Sequence, residues 1–461
     1  MRHLLLRVLL AFAGCAMAFR AAQARPHMLI FLADDLSLRD LPTYGNGGAR
    51  TPNLDAFARE ALVFERAFVA SPTCAPSRAA LLTGLTPARN GAIFNHQYKR
   101  DDVRSLPPVF NELGYQTASF GKIAHGPRDM LRHGFTYTKP GNALDPAAVA
   151  QWLERRDRSQ PVCLFVGTKW PHVPWPQNEG YDPASVQLRR FHPDLPEFRR
   201  DWVRYLSAVS RADRDFGTIL DIVRRALGPD TLVVFSSDHG AQVPFGKFTL
   251  YDEGIRSPLV LSWPGRIEPG RTRAMVSWLD LLPTLLELAG GVVPEGLDGR
   301  SFASVVHEPA REHRDRIFTT HNGDGRANVY PIRSVRTARW KYIRNLQPDW
   351  IFSNHSDRFR KDGAGSYFDA WETAAARDPL VALLLARYRQ RPMEELYDLE
   401  NDSDELNNLA ADSRFAGNLV ALRAELDTWM REQGDDGRVT VEPWVPGKEG
   451  LVDPRGGASP D

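Results

Sequence analysis

The chain has 461 residues, and its 58 Lys and Arg balance 57 Asp and Glu to a formal net charge of +1. At roughly 100–200 residues per domain this length predicts two or three domains. The balanced charge, with no basic run interleaved with aromatics, argues against nucleic acid or an acidic membrane surface as a partner.

The N-terminus begins with a short basic stretch, "MRHLLLR", followed by the apolar run "VLLAFAGCAMAF" and by "AAQA", which ends in a small-x-small site. An apolar run of about 12 residues is too short to span a bilayer. The pattern predicts a cleaved signal peptide over residues 1–24 and an exported mature chain in a periplasmic, secreted or lysosome-like compartment. An uncleaved anchor and a lipid on Cys15 are the alternatives, and no transmembrane segment is expected in the mature chain. Removal of the leader leaves Cys74 and Cys163. Export favours pairing, but Cys163 lies in the apolar run "VCLFVG" and reads as a small core residue. Cys74 is left to be explained.

The first mature element is a strand, "HMLIFLADD", six mostly apolar residues running into two aspartates. Such a run predicts a strand buried on both faces. In "TPNLDAFAREALVFERAF", residues 51–68, positions 54, 57, 58, 61 and 62 keep helical spacing behind a Thr-Pro start, so the spacing predicts a helix. "SRAALLTG" predicts a second helix closed by Gly84. "SLPPVFNELGYQTASFGK" predicts a helix and then a strand, "AAVAQWLERR" a helix, and "PVCLFVGTKWPHVPWP" a strand leading into a loop. A long amphipathic helix, "RYLSAVSRADRDFGTILDIVRRAL", precedes the apolar strand "TLVVFSSDHG".

Strands alternating with helices up to about residue 300 predict an α/β fold, a large, mostly parallel or mixed sheet flanked by helices. Beyond it, "PIRSVRTARWKYIRNL" alternates like antiparallel strands. "EELYDLENDSDELNNLA" reads as a strand, a turn and a helix start, and "FAGNLVALRAELDTWMREQ" as a helix. The expected organisation is a catalytic α/β domain over residues 25–325 and a smaller C-terminal α+β domain with an antiparallel sheet over 326–461. The tail after about Trp444 is expected to be irregular.

Two of the apolar strands end in acid, at Asp34-Asp35 and at Asp238-His239. Ligands of parallel α/β sheets bind outside the carboxyl ends of the strands. Three carboxylates meeting there would repel one another, and a hard divalent cation held through oxygen would resolve the repulsion. One imidazole, His239, among three carboxylates fits calcium, with magnesium as the alternative, better than zinc.

With these elements in place, "CAPSR" at residues 74–78, followed by "AALLTG", resembles the sulfatase signature C-x-P-S-R with a downstream L-x-T-G. "LADD" and "SSDHG" resemble the family's metal-binding strand ends, and "GKIAHG" at 121–126 its Gly-Lys-(x)-His segment. "KFTLYDEGIRSPLVLSWPG" and "ELYDLENDSDELNNLA" resemble its later segments, in family order. Within the family, "YPIRSVRTARWKYIRNL" is similar to the heparan N-sulfatases (sulfamidases). His239 and the two residues between Lys122 and His125 look more like the iduronate-2-sulfatases.

The resemblance implies a hydrolase in which a formylglycine-generating enzyme has converted Cys74 to formylglycine. Its hydrate is a geminal diol: one hydroxyl attacks sulfur, and the other loses its proton to eject sulfate. It also implies a calcium or magnesium ion on Asp34, Asp35, residue 74, Asp238 and His239. Arg78, one helical turn past Cys74, joins Lys122 and Lys247 in offsetting the negative charge of a sulfo group. His125 fits the base that collapses the diol. His172 fits a donor to sulfate or an acid to the leaving group. Arg256 reads as structural, and Trp170 and Trp175 as loop packing. The implied substrate is a sulfated saccharide, with N-sulfoglucosamine ahead of a uronate 2-O-sulfate. A phosphonate monoester or phosphodiester hydrolase of the same superfamily is the competing reaction, and a glycan-binding protein without activity the competing class.

Overall fold

A computed structural model describes residues 25–45, 47–139, 141–361, 363–439, 441 and 443. The predicted leader with Cys15, and the tail after Trp444, lie outside the described residues. No helix among the described residues is long and apolar enough to cross a membrane.

An eight-stranded sheet forms the centre. Its strands are β1 (His27–Asp34), β2 (Leu62–Phe68), β3 (Gln116–Gly121), β4 (Tyr137–Lys139), β5 (Val162–Pro171), β6 (Thr231–Ser237), β7 (Leu259–Ser262) and β8 (Gly270–Ser277), in the order β4-β3-β5-β1-β6-β7-β2-β8. The neighbours from β4 through β6 pair in parallel, whereas β7 runs antiparallel to both β6 and β2. The sheet is thus the mixed form of the expected α/β layer. Helices cover its faces, and the longest, Pro196–Leu227, packs on β5 and β1. β1 is apolar from Met28 to Ala33 and wholly buried there, as a central strand covered on both faces must be.

The helix expected over 51–68 is half right. It runs only over Pro52–Ala58, and Leu62–Phe68 is β2. The helical period continues through Leu62, but the sheet offers Val63 and Phe64 backbone partners on both sides, in β7 and β8, and tertiary pairing overrides local spacing.

The second layer is an antiparallel sheet of β9 (Ile317–Asp324), β10 (Asn328–Arg336), β11 (Trp340–Asn345) and β12 (Glu394–Asp398), ordered β12-β11-β10-β9. Its first strand lies N-terminal to residue 326. The helix Ala416–Gln433 lays Leu419, Leu422, Leu426 and Met430 on Val335, Tyr342 and Leu396. The helix start expected within "DELNNLA" is not formed. That stretch is a run of turns, in which the Asn408 side chain pairs with the β12 backbone: Leu396 N–H donates to its Oδ1 at 2.9 Å and its Nδ2 donates to Glu394 O at 3.0 Å.

The two layers are fastened by buried ions. Asp252 takes Arg336 at 3.0 and 2.9 Å and Lys341 at 2.5 Å, and Lys341 also reaches Glu405 at 2.7 Å. Asp252 lies five residues after Lys247, so the small sheet braces the loop that carries that lysine.

Candidate active site

The parallel register brings the acidic strand ends together. β1 and β6 pair with Ala33 opposite Ser237, so Asp34-Asp35 and Asp238-His239 emerge side by side at one sheet edge. On the other flank of β1, Asp34 pairs with Pro171 of β5, which sets His172 at the same edge. β3 follows with Gly121 opposite Gly167, which delivers Lys122. Both glycines are required here. A Cβ on Gly167 would lie 2.1 Å from Lys122 O, and one on Gly121, where φ is +66°, would lie 1.9 Å from Gly167 O.

Cys74 begins the helix Cys74–Thr83, closed by Gly84 in the left-handed conformation as predicted. Its Sγ lies 3.3 Å from His239 Nε2, 3.6 Å from Asp34 Oδ1, 4.0 Å from Asp35 Oδ1, and 3.7 Å from each of Lys122 Nζ and Lys247 Nζ. Cys74 and Cys163 are both free and buried. Burial pushes the Cys74 thiol well above its ordinary pKa, against the pull of Lys122 and Lys247, so it is not an activated thiolate.

The charges are paired throughout. Lys122 donates to Asp34 Oδ2 at 2.6 Å, and Lys247 donates to both oxygens of Asp35 at 3.0 and 2.9 Å. Arg78 is wholly buried. It donates through Nε to Asp238 Oδ2 at 2.9 Å, through Nη2 to Asp34 Oδ1 at 3.2 Å, and through Nη1 to the Lys122 and Ile123 carbonyls. Burial opposes the charge of both lysines, but Asp34 and Asp35 overcome it and raise their pKa values. The Asp34 and Asp35 carboxyls sit below the usual range despite burial, because Lys122 and Lys247 respectively face them. At Asp238 burial wins over Arg78, and its carboxyl is raised.

The donor set fits a cation. The ring proton of His239 sits on Nδ1, which donates to the Gly240 carbonyl at 3.0 Å. In the neutral ring Nε2 is then an acceptor, and it faces Asp35 Oδ1 at 3.4 Å and Asp238 Oδ2 at 3.6 Å, acceptors that a cation would hold together. His172 repeats the pattern. Its Nδ1 donates to Val173 O at 2.6 Å, and its Nε2 lies 4.0 Å from Asp35 Oδ2. Asp35, Cys74, Asp238 and His239 form one group able to share an ion, and Asp34, Asp35 and His172 a second. Three carboxylates and three cations cancel, so a bound divalent ion would leave the site net positive, which suits an anionic substrate.

His125 lies within reach of the charges of Lys122 and Arg78, and its imidazole pairs with His96, Nε2 to Nδ1 at 2.8 Å. Arg256 is structural, as expected, donating to Glu65 O at 2.9 Å, and Trp175 is buried with its Nε1 on Pro171 O at 2.9 Å. Asn95, His96 and Asp324 are absent from the sequence reading. Asn95 Oδ1 accepts the Ala75 N–H at 2.9 Å, and Asn95 Nδ2 donates to Asp324 Oδ2 at 2.9 Å. No spacing in the sequence connects these three residues, two in a loop and one at the end of β9.

Comparison with known proteins agrees with this geometry. The sulfatase family model matches residues 26–292, and the model for the C-terminal part of N-sulphoglucosamine sulphohydrolase matches 239–357. The chain is 32% identical to the human N-sulphoglucosamine sulphohydrolase, covering 94% of each chain. It is 29% identical to an ulvan-active sulfatase of Formosa agariphila, over 90% of this chain and 82% of the relative. A solved Bacteroides thetaiotaomicron structure from work on the metabolism of multiple glycosaminoglycans superposes with a TM-score of 0.68 at 22% identity, covering 89% of this chain and 97% of that one.

Proposed function

The chain belongs to the sulfatase family and is a sulfate ester hydrolase, and from that premise we propose that it is an exported enzyme releasing sulfate from N-sulfoglucosamine residues of a sulfated saccharide. The observation that carries this reading is the ring of paired charges around Cys74, joined to near full-length similarity to the human N-sulphoglucosamine sulphohydrolase. The proposed layout is a leader over 1–24, a catalytic domain from residue 25 to the start of β9, and an accessory domain from β9 onward.

Formylglycine at position 74, made by a formylglycine-generating enzyme, supplies when hydrated an oxygen nucleophile and a second hydroxyl whose deprotonation frees the enzyme. Asp34, Asp35, Asp238, His239 and residue 74 would hold calcium or magnesium, which supplies Lewis-acid polarisation of a sulfo oxygen and of that nucleophile.

The remaining steps fall to the chain's own residues. Lys122 and Lys247 each pair with one carboxylate and face residue 74, so their ammonium groups are placed to meet the charge that builds on a sulfo group. Arg78, with four of its five N–H groups on two carboxylates and two carbonyls, holds the strand ends in register and acts through them. His125 takes the proton of the second hydroxyl. His172 Nε2, bare at rest, takes the proton released by the attacking hydroxyl and hands it to the leaving nitrogen or oxygen.

Incubation with N-sulfated glucosamine and with 2-O-sulfated uronate disaccharides, with free sulfate measured, tests the substrate. Faster release from the N-sulfated sugar is expected. Release from the 2-O-sulfated sugar alone would replace this substrate with the uronate one.

A further inference from the structure

His125 is 92% buried by its 8% exposure, and its main-chain N–H donates to Asp129 Oδ2 at 2.9 Å. Beyond its 2.8 Å contact to His96 Nδ1, His96 Nε2 lies 3.0 Å from Asp324 Oδ1. The His96 side chain is 37% exposed, so the row His125–His96–Asp324 leads from a buried ring to solvent. Asp324 ends β9 of the small sheet, and its Oδ2 holds Asn95, which holds the residue after Cys74.

The protonation of this row follows from its ends. Asp324 is ionised: burial opposes its charge, but His355, His96 and Asn95 hold its carboxyl far below the usual range. At 3.0 Å a bare nitrogen and the carboxylate oxygen would repel, so the His96 nitrogen facing Asp324 Oδ1 carries a proton, in an electrostatic contact rather than an aligned hydrogen bond. In neutral His96 the other nitrogen, Nδ1, is then a lone pair, and His125 Nε2 must donate to it. His125 Nδ1 is left unprotonated, and it is buried with no hydrogen-bond partner among the described residues. The other charged groups facing His125 are Lys122 and Arg78, which disfavour a proton on it, and Asp324, which favours one.

We propose that Asp324 and His96 are positioning residues that fix His125 in its Nε2–H tautomer, so that Nδ1 is the proton-accepting atom. The proton taken at Nδ1 makes His125 an imidazolium that keeps its Nε2–H on His96 Nδ1. The Nδ1 proton passes to water after sulfate has left, which restores the starting tautomer. The inference rests on reading His125 as the base.

Long-range proton–nitrogen correlation spectra of the full chain labelled with 15N-histidine report each ring's tautomer. His125→Gln identifies the His125 signals among those of the 12 histidines. Wild type is expected to show Nε2–H at His125. Asp324→Asn, whose amide can donate to His96 Nε2, is expected to reverse both rings and to lower kcat by roughly 100-fold or more with KM little changed. Asp324→Glu is expected to restore tautomer and rate. His96→Gln, if Asp324→Asn does not fold, is expected to leave His125 a mixture of tautomers. An Nδ1–H His125 in wild type, or a His125 unmoved by these substitutions, overturns the proposal. Full activity of His125→Ala would instead overturn the reading of His125 as base, whatever the spectra show.

Discussion

Asp34 and Asp238, at the ends of two adjacent parallel strands, share one guanidinium: Arg78 reaches the first at 3.2 Å and the second at 2.9 Å. All three side chains are buried, so the ions depend on one another for solvation. Removing one partner of such a group leaves an uncompensated charge and costs about 3–5 kcal/mol. Arg78→Ala is therefore expected to lower unfolding free energy by that order and to abolish sulfate release. Arg78→Lys, which cannot span both carboxylates, is expected to retain part of the stability and little activity. Denaturant unfolding alongside sulfate release measures both.

Lys247 touches both oxygens of Asp35 and stands 3.7 Å from residue 74. If it meets charge that develops on the sulfo group, Lys247→Ala lowers kcat by about 100- to 1000-fold. The same is expected of Lys122→Ala. A rise confined to KM in steady-state kinetics would show that the lysines bind the ground and transition states alike.

Chelation provides a third prediction. Because Arg78, Lys122 and Lys247 already neutralise the carboxylates, the chain is expected to stay folded after EDTA treatment while losing activity. Calcium or magnesium is expected to restore the rate and to add about 2.7 kcal/mol of stability at a hundred times its dissociation constant. Thermal denaturation with and without the ion, read beside sulfate release, checks it. Recovery with zinc alone would contradict the donor-set argument.

A fourth prediction concerns acid stability. Asp280 is wholly buried and accepts from Ser277 N–H and Arg300 N–H, both at 2.8 Å, and from Arg314 Nε at 2.6 Å. Burial pushes its carboxyl up, but Arg314 and His313 outweigh burial and bring it down to about 2. The folded pKa lies below the unfolded one, so this group's stabilisation is present above the unfolded value near 4 and is lost as pH falls toward 2. It amounts to about 2 kcal/mol at neutral pH. Asp280→Asn is expected to destabilise at neutral pH and to flatten the fall in stability over that acid window, as measured by urea unfolding at several pH values.

The acidic strand ends were legible in the sequence because each follows a short, unbroken apolar run, whose length suits a buried strand with its next residues at the ligand edge. The Cys74 helix was legible from its motif and from Gly84. Residues 62–68 were misread because Leu62 keeps the helical period of residues 54–61, and only the sheet neighbours β7 and β8 reveal a strand. Asp324 and His96 carried no sequence signal at all. They are single polar residues 228 positions apart, one in a loop and one at the end of β9, brought together by the docking of the small sheet.

The most direct test of the account is the chemical state of residue 74. Trypsin cuts after Arg66 and Arg78 and releases "AFVASPTCAPSR". In protein made with the maturation enzyme present, mass spectrometry is expected to find this peptide about 18 Da lighter than its cysteine form, the change from thiol to aldehyde. The converted fraction is expected to track sulfate release across preparations. An unmodified thiol at position 74 in fully active enzyme would contradict the account.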